Sequence, residues 1–288
     1  GGRPVAITPL AGPLKLDQLK AERVQRTDNK GRTLFVEPGN RTIIKQDNRF
    51  IIHRDEGKRF QAFRPDARTM RLPNGITQSV YIRPDGVRVY SEFDGAGRLI
   101  RRYSRGPGGR DVVYLDNRRF YRNLAIGVGI GAVGVGLALA LSPPAHALPR
   151  PKYIVEYDSA SDDDLYEALT APPVVRLERS YSLDEIRYSQ PLRERMRRID
   201  VDAITFDTGS FEVSEEQYGK LERMAKAIAK AIEKNPAEMF LIEGHTDAVG
   251  PDDDNLTLSD RRAEAVSRVL SEYYNIPIEN IVTQGYGE

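Results

Sequence analysis

The chain has 288 residues, with 43 Lys and Arg against 42 Asp and Glu and no cysteine. A disulfide framework is therefore excluded, and the length suffices for one large or two smaller cores. The near-neutral total conceals a split: residues 1–122 hold 26 Lys and Arg against 13 Asp and Glu, while residues 123–288 hold 17 against 29. A basic half followed by an acidic half predicts different surroundings for the two. Residues 1–31 are polar, with Leu14, Leu16 and Leu19 as the apolar cluster, which suits a short helix or an irregular segment. Through residues 32–117 turn signals recur at Pro38-Gly39, Asp47-Asn48, Asp55-Glu-Gly57, Asn74-Gly75, Asp85-Gly86, Asp94-Gly-Ala-Gly97 and Pro107-Gly-Gly109. Runs such as Arg49-Phe-Ile-Ile-His53 and Ser79-Val-Tyr-Ile82 between them predict a basic β-meander. These strands are short and dotted with arginine, whereas a membrane β-strand needs ~9–11 residues with one apolar face, which argues against an outer-membrane barrel.

Leu124 to Leu141, within residues 123–142, is an uncharged apolar run just long enough to cross a bilayer as a helix and to meet membrane lipid. Gly127 and Gly131 form a GxxxG pair suited to self-association in lipid. The same glycines weaken a helix in water by ~1 kcal/mol each relative to alanine, so a buried segment or a linker is the alternative. Arg118, Arg119 and Arg122 precede the run. The positive-inside tendency then places the basic half in the cytoplasm and the acidic half in the periplasm. Ala145-His-Ala147 imitates a signal-peptide cleavage site, but its depth in the chain argues against that reading. Residues 143–198 read as a linker with short helices, one near Asp162 to Leu169 and one opened by the capping box Ser182-Leu-Asp-Glu185.

From residue 199 to 288 the pattern is β-α-β-α-β, which makes the chain α+β. Ile204 to Phe206 reads as a strand. Ser214-Glu-Glu-Gln217 reads as the cap of a helix with Leu221, Met224, Ala225, Ile228 and Ile232 on one face, ended by Pro236. Met239 to Glu243 is a second strand, and Ile281 to Gln284 the last. Ala263, Val266, Leu270 and Tyr273 recur at helical spacing, with Ser259 or Asn255 able to cap the start, which sets Arg262 in the first turn. Asp247 then lies beyond the carboxyl end of a strand, where ligands of α/β sheets sit, and a helix N-terminus attracts carboxylates. One carboxylate and one guanidinium around this junction suit a ligand that is itself a zwitterion.

The motifs Ile204-Thr-Phe-Asp-Thr-Gly-Ser210, Glu243-Gly-His-Thr-Asp-Ala-Val-Gly250, Asn255, Leu258-Ser-Asp-Arg-Arg-Ala263 and Gln284-Gly-Tyr-Gly-Glu288 follow one another in that order. Over about Ile199 to Glu288 the sequence thereby resembles the OmpA-like peptidoglycan-binding domain. The resemblance implies a non-catalytic wall binder without cofactor, in the envelope of a Gram-negative bacterium with this domain in the periplasm. Its partner is peptidoglycan, and nucleic acid is not expected. It also implies that Asp247 and Arg262 hold the amino-acid end of diaminopimelate, with Asn255, Thr208 and Gly209 in support. The family continues past Gly-Tyr-Gly-Glu with a further helix and strand, so the final strand is expected to be missing and a sheet edge unpaired. Gly-Gly-Arg-Pro at the start likewise reads as the middle of a longer protein.

Other readings of the same residues stand beside this one. An exposed Asp–Arg pair contributes ~0–1 kcal/mol and needs no function. Glu243, His245 and Asp247 share one strand face and would serve a metal-dependent wall hydrolase, though no HxxE or HExxH element completes a zinc site. A flagellar stator-like anchor would share a membrane helix and this domain, but Leu124 to Leu141 holds no Asp or Glu to carry protons. The basic half suits anionic lipid or a plain solvated surface.

Overall fold

The computed structural model describes residues 15–29, 31–46, 49–125, 154–173, 177 and 179–288. A short helix α1 (Leu16–Glu22) leads into a four-stranded antiparallel meander in chain order, β1 (Val24–Thr27), β2 (Thr33–Glu37), β3 (Arg41–Gln46) and β4 (Arg49–Arg54). Helix α2 (Glu56–Phe63) connects it to a second antiparallel meander, β5 (Arg68–Arg71), β6 (Thr77–Ile82), β7 (Arg88–Phe93), β8 (Leu99–Arg105) and β9 (Asp111–Asp116). The predicted turns at Gly39, Gly75, Gly86, Gly97 and Gly109 all place glycine at positive φ. In three of them an Asn or Asp side chain accepts a backbone N–H two residues on: Asn74 from Ile76, Asp85 from Val87 and Asp94 from Ala96. Asp55-Glu-Gly57 is not a turn. Asp55 Oδ1 accepts the Lys58 N–H at 2.9 Å and caps α2 instead. The Asp47-Asn48 signal lies outside the described residues.

Helix α3 (Arg118–Ala125) follows β9. The apolar run beyond Ala125, with Gly127, Gly131 and Ala145-His-Ala147, also lies outside the described residues. Among those described, no helix is long and apolar enough to cross a membrane. The chain continues with β10 (Ile154–Glu156), α4 (Asp162–Thr170), α5 (Leu183–Arg187), α6 (Gln190–Arg193) and β11 (Arg198–Asp200), β11 lying parallel to β10. Reciprocal capping boxes start α4 at Ser161 and α5 at Ser182. The segment read as a linker is packed: Leu165 and Leu192 have no exposed surface, and Leu165 shares a core with Phe60, Val89, Ile228 and Ile281.

In the C-terminal part, α7 (Glu222–Lys234), β12 (Phe240–Gly244), α8 (Asp252–Arg268) and β13 (Ile281–Gly285) form the expected pattern, with β13 parallel to β12. Among the described residues the other edge of β12 has no ladder partner. Two boundaries differ from expectation. Ile204 to Phe206 joins no ladder, because the side chain of Gln217 takes the place of a neighbouring strand, accepting the Thr205 N–H and donating to the Thr205 carbonyl, both at 2.8 Å. A 3₁₀ stretch over Glu215–Leu221 follows Ser214, so α7 starts at Glu222. Its buried face, Met224, Ala225, Ile228 and Ile232, is the predicted one.

Helix α8 rests directly on β12 and β13. A Cβ at Gly244 would collide with the Ser259 carbonyl, and one at Gly285 with the Asp260 backbone, so both motif glycines are contact points. The opposite side of α8 receives the basic half. Arg41 Nε meets Asp260 Oδ2 at 2.7 Å, Arg59 Nε meets Glu264 Oε2 at 2.8 Å, and Arg54 lies 3.4 Å from both carboxylates and 3.1 Å from Glu56. Arg54 and Asp260 side chains are 2 % and 1 % exposed. Part of the uneven charge is therefore satisfied internally, basic strands against an acidic helix, which corrects the expectation of separate surroundings. The flanks of the apolar run also meet, since Asn117 Nδ2 and Tyr121 Oη both donate to Asp184 Oδ2. A single bilayer crossing between Leu124 and Leu141 would separate all these partners, so the placement of the two halves on opposite faces of a membrane is corrected as well.

Candidate ligand-binding site

The site lies where β12 ends. Thr246 N–H donates to the Gly287 carbonyl at 2.8 Å and Gly287 N–H donates to Ser259 Oγ at 3.0 Å, which ties the loop after β12 to the chain after β13 and to α8. Asp247 follows with its side chain exposed, while its carbonyl accepts Asn255 Nδ2 at 3.3 Å. Asn255 is 5 % exposed and sits in the first turns of α8, so its amide serves to pin the Asp247 backbone.

Arg262 does not lie in the first turn of its helix. The helix begins at Asp252 after Pro251, and Asp252, Asp253 and Asp254 occupy its N-terminus, where the helix dipole favours carboxylates. Asn255 and Ser259 are inside the helix, and Arg262 is about three turns along it. The half-buried side chain of Arg262 runs over the Phe206 ring, its Cζ 4.9 Å from the ring centre, and Nε donates to the Ser210 carbonyl at 3.0 Å. Among the described residues neither terminal amino group of this guanidinium has a hydrogen-bond partner, so its two-pronged edge stays open to a ligand. Burial lowers the Arg262 pKa and the Asp247 carboxylate opposes that shift through space. The Asp207–Ser210 turn, closed by Ser210 N–H to the Asp207 carbonyl at 2.9 Å, presents Thr208 to solvent and holds Gly209 at φ 68°.

Arg262 also lines a cleft of about 1660 Å³ with Phe206, Glu243, His245 and Tyr286; Asp247 stands outside that lining. The structure thus gathers Asp247, Asn255, Arg262 and the Thr208–Gly209 turn around one junction. Phe206 and Ser210, which aim the guanidinium, were not singled out as site residues from sequence, although both stand in the Ile204 to Ser210 motif. The alternative triad is not assembled. His245 Nε2 lies 3.3 Å from Glu243 Oε2, Glu243 also meets Arg193 Nε at 3.3 Å, and among the described residues no three His, Asp or Glu side chains form a group that could hold a metal ion.

Residues 205–288 match the model of the OmpA family, so this part of the chain is an OmpA-family domain. Among curated proteins, outer membrane porin F of Pseudomonas aeruginosa is 36 % identical over 91 residues, covering 32 % of this chain and 25 % of that protein. Outer membrane porin F of Pseudomonas fluorescens is 36 % identical over 91 residues, 32 % of this chain and 26 % of its own. The chain thus spans about a quarter of the length of these relatives. Among solved structures, the peptidoglycan-associated lipoprotein from Burkholderia pseudomallei is 29 % identical, covering 30 % of this chain and 68 % of that one at a TM-score of 0.26. An outer membrane protein from Borrelia burgdorferi is 30 % identical, covering 29 % and 71 % at a TM-score of 0.27.

Proposed function

We propose that the domain binds peptidoglycan non-covalently through the diaminopimelate of its stem peptide, and that the protein anchors the wall to the bacterial envelope without catalysing a reaction. The observation that carries this reading is the open guanidinium edge of Arg262, aimed by Phe206 and Ser210, with the Asp247 carboxylate nearby but unpaired with it. A free amino acid centre supplies both missing partners: its carboxylate suits the fork of Arg262 and its ammonium suits Asp247. Asn255 and the Thr208–Gly209 turn frame the same position. The OmpA-family match supports this reading.

The ligand choice tests it. Lysine at the same peptide position keeps the ammonium and lacks the carboxylate, which leaves Arg262 unpaired. A lysine-containing muropeptide is expected to bind ten- to a hundredfold more weakly than its diaminopimelate counterpart, from the loss of about 1.5–3 kcal/mol in one charge-assisted contact. Calorimetry measures this, and equal affinities would remove Arg262 from the site.

For membrane attachment, the buried contacts between the flanks of Leu124 to Leu141 support an entry and exit on one face, with both flanks in the periplasm. The absence of cysteine makes this testable. Single cysteines replacing the exposed Arg110 and Asp163 are expected to react with an impermeant maleimide from the same side of the inner membrane. Labelling from opposite sides would exclude the shared compartment.

A further inference from the structure

The turn that orients Arg262 is itself held by a distant piece of chain. Lys15 forms an isolated antiparallel bridge with Ser210, and the Leu16 N–H donates to the Gly209 carbonyl at 2.8 Å. Leu16 is the first residue of α1, and an N–H in a helix's first turn has no partner within the helix. It is therefore free to be spent on the turn. The far end of α1 grips the other wall of the site: Lys20 Nζ meets Asp254 Oδ2 at 2.7 Å, while Arg23 Nη1 meets Asp253 at 2.6 Å and Asp254 at 3.1 Å. Arg23 Nη2 also reaches Glu37 at 2.8 Å on β2, and Leu19 between the two ends has no exposed surface. Asp253 and Asp254 immediately precede Asn255, which pins Asp247.

We propose that residues 15–23 are a positioning brace for the ligand site. The segment fixes the distance between the Asp207–Ser210 turn and the start of α8, and so sets the aim of Arg262 and the place of Asp247. The reasoning follows the bonds. Gly209 at positive φ makes the turn a natural hinge, and the Ser210 carbonyl is the acceptor that fixes Arg262 Nε. Release of the Gly209 carbonyl lets the turn move and takes the guanidinium with it. The basic region is then part of the recognition unit and not cargo attached to it. This inference rests on the wall-binding reading.

One substitution isolates the decisive hydrogen bond. Proline is tolerated at the first position of a helix, where its missing N–H is no loss to the helix, and Lys15 before it has φ −128° and ψ 149°, the extended conformation that a residue preceding proline adopts. L16P therefore deletes the donor to Gly209 while α1 remains. L16A keeps the donor and removes the side chain. With a diaminopimelate muropeptide as probe, L16P is expected to bind about five- to tenfold more weakly than the unsubstituted protein, and L16A within about twofold. The Arg262 Nε–H resonance is expected to move in L16P and stay in place in L16A. Unchanged affinity in L16P overturns the brace, and so does an equal loss in both variants, which would trace the effect to side-chain packing. Should L16P not fold, the partly exposed Lys20 decides through K20Q: weaker binding at an unchanged melting temperature supports the brace, and unchanged binding overturns it. No binding by the unsubstituted protein would instead remove the wall-binding reading, and the brace with it.

Discussion

Arg262→Ala is expected to abolish retention of the protein on purified peptidoglycan, and Asp247→Ala to do the same. Each removes one charge-assisted partner of a zwitterion, about 1.5–3 kcal/mol, while the ligand's opposite charge remains desolvated. Arg262→Lys is expected to fail nearly as badly, since a point charge cannot reproduce two parallel hydrogen bonds and does not lie flat on Phe206. In the proposed site both residues hold one amino acid centre, so the double variant is expected to bind little worse than either single one, whereas independent subsites would give additive losses. Asp247 is exposed and Arg262 half-buried, so circular dichroism and melting temperature are expected to change little. Normal sedimentation of both variants with the wall would exclude this site.

The largest stability effect is expected at the arginine–carboxylate interface. Glu264 accepts from Arg59 and from Thr283 Oγ1, and it lies 3.4 Å from Arg54. Glu264→Ala takes from Arg59 its nearest counter-charge and from Arg54 one of three, and is expected to cost about 3–5 kcal/mol in urea unfolding. Replacing the whole cluster with apolar residues of matching volume is expected to cost far less, because the desolvation penalty disappears with the charges. The interface also sets the acid limit of the fold. Burial pushes the Asp260 and Glu264 carboxyls up, but Arg54 with Arg41 at Asp260, and Arg59 with Arg54 and Arg41 at Glu264, outweigh it and hold both at about 2. The ordinary values are 3.8 and 4.5. The unfolded chain therefore binds more protons between these limits, and stability rises with pH there. This contribution is complete above about pH 5 and is lost as pH falls through 4 towards 2. Unfolding free energies that stay level from pH 6 to pH 3 would contradict it.

Much of the architecture was legible because its signals are local. Glycine directly after Asn or Asp is a local turn signal, and the hairpins at Gly75 and Gly86 follow that rule. The buried face of α7 is a 3.6-residue period, and Asp247, Asn255, Thr208, Gly209 and Arg262 stood in recognisable motifs. Element boundaries were less legible because they depend on competition. Asn255 and Ser259 are good capping residues, but of the three aspartates ahead of them Asp253 and Asp254 find the cations Lys20 and Arg23, and α8 starts there. Ile204 to Phe206 has the composition of a strand and lacks a backbone partner, since Gln217 takes its hydrogen bonds.

By itself the sequence determined the hairpin turns, the amphipathic helices, the family matched by the last 84 residues, from 205 to 288, and the pair of charges proposed to meet the ligand. Only the tertiary structure decided what the other charges are for. A count of arginines and carboxylates states how much charge each half carries, not which charges leave water together, and that pairing arises when β3, β4 and α2 close over α8. The same closure places Leu16 against Gly209, nearly two hundred positions apart, because a hydrogen bond depends on distance in space and a sequence records only distance along the chain.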